Sequence, residues 1–131
     1  MSRPVLVADD EPLTAEMLAV MLAFRGYEVV CAYSGDEALD RARELQPDLL
    51  LLDVIMPGRE GLEVTRLVRD DADLCTRPVV LFSSADEEEI EWREAGADAF
   101  LQKPLDIAAL PDLVDRLLQR EPPRPRRSLA A

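Results

Sequence analysis

Two periodicities alternate along the chain. Short apolar runs, "PVLVA" (4–8), "EVVCA" (28–32), "LLLL" (49–52), "PVVLF" (78–82) and "AFL" (99–101), are mostly rich in branched residues. Such runs fit parallel strands buried on both faces, because a strand with one wet face would alternate apolar and polar residues. Stretches with helical spacing separate them. Residues 12–25 place Leu13, Met17, Leu18, Met21 and Leu22 on one predicted face, begin at Pro12, where a missing N–H costs nothing, and stop before Gly26. Ser34 and Glu37 make a capping box ahead of Ala38, Leu39, Ala42 and Leu45. A shorter helix is predicted over 62–70 with Leu62, Leu67 and Val68, and another over 87–95, ended by Gly96. The last helix shows Leu110, Leu113, Val114, Leu117 and Leu118 at i, i+3, i+4, i+7 and i+8.

Five strands alternating with five helices predict an α/β fold, a doubly wound parallel sheet with right-handed crossovers. Ligands of such sheets gather beyond the carboxyl ends of the strands. Asp9 and Asp10 follow the first strand, Asp53 ends the third, Ser83 and Ser84 the fourth, and Lys103 the fifth, so one edge should collect them all. In "DLLLLDVIMPGREG" (48–61) four leucines run into Asp53 before Met56-Pro57-Gly58 turns the chain. The expectation is that the leucines are buried while Asp53 stands at the wet rim.

Composition narrows the function. With 131 residues, 48% of them hydrophobic and 32% charged, the chain suits one soluble domain with a proper core. No apolar run approaches the roughly 20 residues of a membrane span, and the N-terminus turns acidic too soon for a signal peptide, so a cytoplasmic location is expected and no membrane contact. The absence of histidine removes Ser-His-Asp and Cys-His nucleophile systems. Cys31 and Cys75 lack metal or redox spacing and read as structural thiols. Residues 120–131 hold four arginines and one glutamate, +3 in all, so residues 1–119 carry −15 of a total −12. An acidic body does not bind a phosphate backbone, so no direct nucleic-acid binding is expected.

Three carboxylates held within a few ångströms repel strongly, by about 4 kcal/mol per pair at 4 Å and an effective dielectric of 20. A divalent cation is the simplest remedy, and hard oxygen ligands with open positions favour magnesium. With an anionic nucleophile, a lysine and a hydroxyl donor, the set contains the parts of a phosphoryl-transfer site, and Asp53 is the best placed nucleophile.

Here the sequence resembles the receiver domain of two-component response regulators, the CheY-like superfamily, over residues 4–119. The resemblance rests on "VADDEP", on "LLLLDVIMPGREG" with its D-x-x-M-P-x-x-x-G pattern, on "PVVLFSS" and on "GADAFLQKP", four motifs in order at suitable spacing. It implies a flavodoxin-like (βα)5 fold with strand order 2-1-3-4-5, and a receiver over residues 1–120 followed by a Pro/Arg-rich tail or linker remnant over 121–131. It implies that Asp53 accepts a phosphoryl group from a phosphohistidine of a sensor kinase or histidine phosphotransfer protein. Magnesium would be held by Asp10, Asp53 and the backbone carbonyl of Ile55, with Asp9 acting through water. Lys103 would pair with the acyl phosphate, Ser83 would be the switch hydroxyl, and Phe100 the switch aromatic or simply a core residue. The expected role is a signalling switch with only weak self-phosphorylation and self-dephosphorylation, acting on a downstream protein or a following output domain. A homodimer through the face of helix 4, strand 5 and helix 5 is a further implied possibility.

Departures from the family pattern refine this picture. The Ser83–Lys103 interval of 20 residues is about two short, so helix 4 or its entry should be trimmed, and its sequence "DEEEIEWREAG" is strongly acidic around Trp92. Pro111 should delay or kink the last helix. Ile55 and Ala85 flank the path of a water attacking the aspartyl phosphate, and neither side chain can hydrogen-bond it, which predicts slow self-dephosphorylation. Two rivals are a receiver-like interaction module that is not phosphorylated, and a haloacid dehalogenase-type phosphohydrolase. The latter wants a second acid where Ile55 stands.

Overall fold

The computed structural model describes residues 4–106 and 108–119; the tail expected over 121–131 lies outside them. Strands β1 (Val5–Ala8), β2 (Val29–Ala32), β3 (Leu49–Asp53), β4 (Val79–Ser83) and β5 (Ala99–Gln102) form one parallel sheet in the order β2-β1-β3-β4-β5, as expected. Helices α1 (Pro12–Ala23), α2 (Gly35–Leu45), α3 (Gly61–Asp70), α4 (Trp92–Ala95) and α5 (Ala109–Gln119) cover its faces.

The leucine run shows why the sheet must be covered twice. Leu50 and Leu52 face the cluster holding Ala38, Leu39, Val64, Val68 and Trp92 of α2, α3 and α4. Leu49 and Leu51 face Ala15, Leu18, Leu22, Leu110 and Val114 of α1 and α5. All four leucines are fully buried, each contributing about 1.5–3 kcal/mol of hydrophobic stabilisation.

Local signals set the helix ends. Ser34 Oγ accepts from the Glu37 N–H at 3.1 Å, while Glu37 Oε1 accepts from Tyr33 N–H at 2.8 Å, a capping box whose return bond falls one residue early. In α5 the regular helix begins at Ala109, three residues after Asp106, whose Oδ1 accepts from the N–H groups of Ala108 and Ala109. Pro111 therefore sits in the first turn, where no intrahelical N–H is needed; the helix is delayed, as the proline implied.

Two expectations are corrected. The predicted inner face of α1 included Leu13 and Met17, yet both are exposed and Ala15, Leu18 and Leu22 are buried instead. Because α1 is apolar on opposite sides, its sequence does not determine which side meets the sheet. The helix predicted over 87–95 is split: a 3-10 turn at Glu87–Glu89, an extended Ile90, then the single α-turn of α4. Ile90 packs against the core from this break, and crowding of Glu87, Glu88, Glu89 and Glu91 opposes a continuous helix.

Arg69 of α3 fastens this region. Its guanidinium donates to the carbonyls of Gly96 (2.8 Å), Cys75 (3.1 Å) and Arg77 (2.7 Å) and pairs with Asp98 at 2.9 Å. Asp98 Oδ2 also accepts from the Val79 N–H at 2.8 Å, so one charge pair aligns the starts of β4 and β5.

Candidate functional site

The carboxyl ends of β1, β3, β4 and β5 bring together Asp9, Asp10, Asp53, Ser83 and Lys103. One oxygen from each of Asp9, Asp10 and Asp53 lies within 4.8 Å of the other two. Lys103 Nζ stands 3.1 Å from Asp53 Oδ2 and 3.5 Å from Asp9 Oδ2. The peptide bond from Lys103 to Pro104 is cis, and the Lys103 N–H donates to the Ser83 carbonyl at 2.7 Å, which fixes the lysine backbone to the end of β4.

Asp53 corrects a further expectation: it is the last residue of β3 and only 5% exposed, and Asp9 is fully buried, whereas Asp10 is exposed. Burial is tolerated because each buried carboxylate is compensated. Asp53 Oδ1 accepts from the Ile55 N–H at 3.1 Å and Asp9 Oδ1 from the Glu11 N–H at 2.9 Å, while the second oxygen of each faces Lys103. Burial pushes the Asp9 carboxyl above its ordinary range, aided by the charge of Asp53 and opposed by the Glu11 N–H and Lys103. Burial alone would pull Lys103 down, but the hydrogen bond to Asp53 and the charges of Asp53 and Asp9 leave its ammonium held above the usual lysine value.

The donor set fits a small hard cation. Three carboxylate oxygens this close can be spanned by one hydrated ion, which leaves open positions for water or a phosphoryl oxygen. The backbone approaches closely beside the cluster: a Cβ at Gly61 would lie 2.3 Å from the Asp53 carbonyl oxygen, so only glycine lets α3 start this close to β3. Gly58, at φ +79°, turns the intervening loop, which Arg59 ties to Asp36 at 2.7 Å and to Glu63 at 2.8 Å.

The flanking residues are placed as follows. Ser83 is buried, and its Oγ accepts from the Ala85 N–H at 3.1 Å. Ile55 is 59% exposed and Ala85 half-buried. Phe100 lies in the core, its ring stacked on Trp92 at 6.2 Å between centroids, with the Arg93 guanidinium 4.3 Å from the Trp92 ring. Sequence reasoning missed Phe82, whose ring lies 5.2 Å from Lys103 Nζ. Its place in an apolar run marked it only as core.

Residues 5–115 match the family model of the response regulator receiver domain. The fold superimposes on a protein assigned as a response regulator from Chloroflexus aurantiacus J-10-fl, with 35% identity, TM-score 0.85, and coverage of 92% of this chain and 100% of the other. It is also similar to the signal receiver domain of a signal transduction histidine kinase from Syntrophus aciditrophicus (31% identity, TM-score 0.85, 95% and 96% covered). The chemotaxis protein CheY4 of Vibrio cholerae matches at 30% identity and TM-score 0.83, with 90% and 100% covered. With the four sequence motifs, the β2-β1-β3-β4-β5 sheet and the acidic strand-end cluster, these likenesses establish that the chain belongs to the response regulator receiver domains of two-component signalling.

Proposed function

We propose that residues 1–120 form a phosphorylation-activated switch that accepts a phosphoryl group on Asp53 from the phosphohistidine of a sensor kinase or phosphotransfer protein, with residues 121–131 as a Pro/Arg-rich tail or linker remnant. The observation that carries this reading is the set of contacts at Asp53: two neighbouring carboxylates, and a lysine 3.1 Å from Oδ2. In the transfer an Asp53 carboxylate oxygen forms the new O–P bond as the P–N bond breaks, its electron pair returning to the donor imidazole. Lys103, already aimed at Asp53, stabilises the transferring oxygens. Asp10, Asp53 and the Ile55 carbonyl would hold magnesium, with Asp9 through water; when bound, the ion neutralises charge on the carboxylates and phosphoryl oxygens.

The acyl phosphate replaces one charge by roughly two and offers new acceptors. Ser83 Oγ, which accepts from the Ala85 N–H, would turn its hydroxyl toward them, and coupling of about 1–3 kcal/mol suffices to shift a two-state equilibrium. Output passes through protein contacts, with Phe100 and its Trp92 partner under the face that changes. The test is incubation with acetyl phosphate or a phosphoramidate plus magnesium, followed by intact mass measurement. One phosphoryl group on the wild type and none on Asp53→Asn is expected. No addition from any donor, or continuous phosphate release from a monoester, would overturn the reading.

A further inference from the structure

Lys103 reaches Asp53 by crossing a strand. It follows β5, Asp53 ends β3, and β4 lies between them, so the lysine side chain works across two strand spacings of about 4.8 Å each. Phe82 of β4 lies under that path. It is the register partner of Asp53, so both side chains point to the side of the sheet covered by α1 and α5, and its ring centroid is 5.2 Å from Lys103 Nζ. The phenyl ring is fully buried, in the cluster that also holds Val80, Leu110 and Val114.

We infer that Phe82 is a positioning residue for phosphoryl transfer, its ring face holding the Lys103 ammonium beside Asp53; this rests on the reading of Asp53 as phosphoacceptor given above. An ammonium set against a buried apolar side chain loses water on that side. An aliphatic residue at position 82 would return nothing for that loss, whereas the electron-rich face of a phenyl ring attracts the cation. The charge partners do not fix the lysine by themselves. Asp53, at 3.1 Å, and Asp9, at 3.5 Å, are also the carboxylates that a cation and a phosphoryl group would engage, so their pull on the ammonium weakens as the site fills. The ring has no charge to be neutralised and keeps its hold throughout. Backbone bonds at adjacent residues of β4 set both halves of the pair. The Phe82 carbonyl accepts from the Val54 N–H at 2.9 Å, directly after Asp53, and the Ser83 carbonyl accepts from the Lys103 N–H at 2.7 Å. Ring, lysine and nucleophile thus share one frame, which is what alignment of a transfer step requires.

Fluorine withdraws charge from the face of a phenyl ring and nearly keeps its shape. Mono-, di- and trifluorophenylalanine, placed site-specifically at position 82 of the full chain, therefore weaken the attraction without emptying the core. In the magnesium-free protein the trifluoro ring should lower the melting temperature by about 2–5 °C more in the Lys103 chain than in Lys103→Met. The rate constant for phosphorylation by acetyl phosphate at fixed magnesium should fall in the order of fluorine number, by about three- to tenfold at the trifluoro ring. Phe82→Leu, apolar but without a π face, should lose at least as much. Equal melting shifts in the two backgrounds overturn the inference, since packing alone would produce them. A wild type that takes up no phosphoryl group overturns the phosphoacceptor reading and this one together, whereas a phosphorylated wild type whose rate is indifferent to fluorination overturns this one alone.

Discussion

Lys103 Nζ reaches Asp53 Oδ2 at 3.1 Å across 50 positions of sequence, closing a site in which two carboxylates are buried beside one exposed. Removing that cation leaves Asp9 and Asp53 without their charge partner. Lys103→Met should therefore lower the stability of the magnesium-free protein by about 1–3 kcal/mol. Magnesium should restore part of the loss, so the rise in melting temperature on adding the ion should be larger in the variant than in the wild type. Thermal denaturation with and without magnesium checks this, and an equal or smaller rise would refute it.

Ile55 holds Asp53 Oδ1 through its backbone N–H, while its side chain projects into solvent, 59% exposed. With no polar group there to orient an attacking water, the phosphorylated state should decay slowly. Ile55→Asn adds a side chain able to hold that water and should speed decay by about tenfold, less than the roughly 10²–10⁴-fold of a positioned acid or base, because an amide orients the water without taking its proton. The decay of phosphorylated protein in magnesium buffer, followed by intact mass, measures the ratio.

Arg69 makes its carbonyl and Asp98 contacts from a mostly buried position, joining α3 to the starts of β4 and β5. Arg69→Ala should cost about 2–4 kcal/mol, since Asp98 loses its cation while keeping the Val79 N–H, and three carbonyls lose the guanidinium together. Arg69→Lys should recover only a minor part, because one ammonium cannot reproduce the guanidinium fork. Urea unfolding of the three proteins gives the comparison.

Tyr27 at the end of the α1–β2 turn donates its hydroxyl to Asp115 of α5, next to the Arg25 pairs with Asp112 and Asp115. Burial, with the Asp115 hydrogen bond and charge, pushes the phenol from 10.0 up to about 12. A raised folded-state value means that the stabilisation is fully present below pH 10 and is lost as pH rises through about 12. The loss across that window should be on the order of 2 kcal/mol, and Tyr27→Phe should lack it. Melting curves from pH 9 to 12, with the tyrosinate absorbance as an independent titration, make the check.

Most of the architecture was legible because its signals are local. A run such as Leu49–Leu52 has no wet face and must be a covered parallel strand, and a residue at the end of such a strand is delivered to the sheet edge whatever surrounds it. That logic places Asp9, Asp10, Asp53, Ser83 and Lys103 at one edge from strand ends alone, and Pro111 marks a late start for α5. Phe82 was legible only as core, because nothing in an apolar run says which ring will lie near a lysine from another strand.

The sequence by itself determined the order of elements, the double covering of the sheet and the strand-end residues that share one edge, since each follows from the period of a short segment or from the stereochemistry of one residue. Only the tertiary structure decided that Leu13, Met17 and Val20 of α1 and Phe24 at its C-cap remain outside, that the fourth helix breaks at Ile90, and that Asp53 is buried with its leucines. In α1 both sides are apolar, so the phase is chosen by which side fits the sheet. At Asp53, burial of a charge is permitted by Lys103 and by the Ile55 N–H, partners that only the folded chain brings within reach.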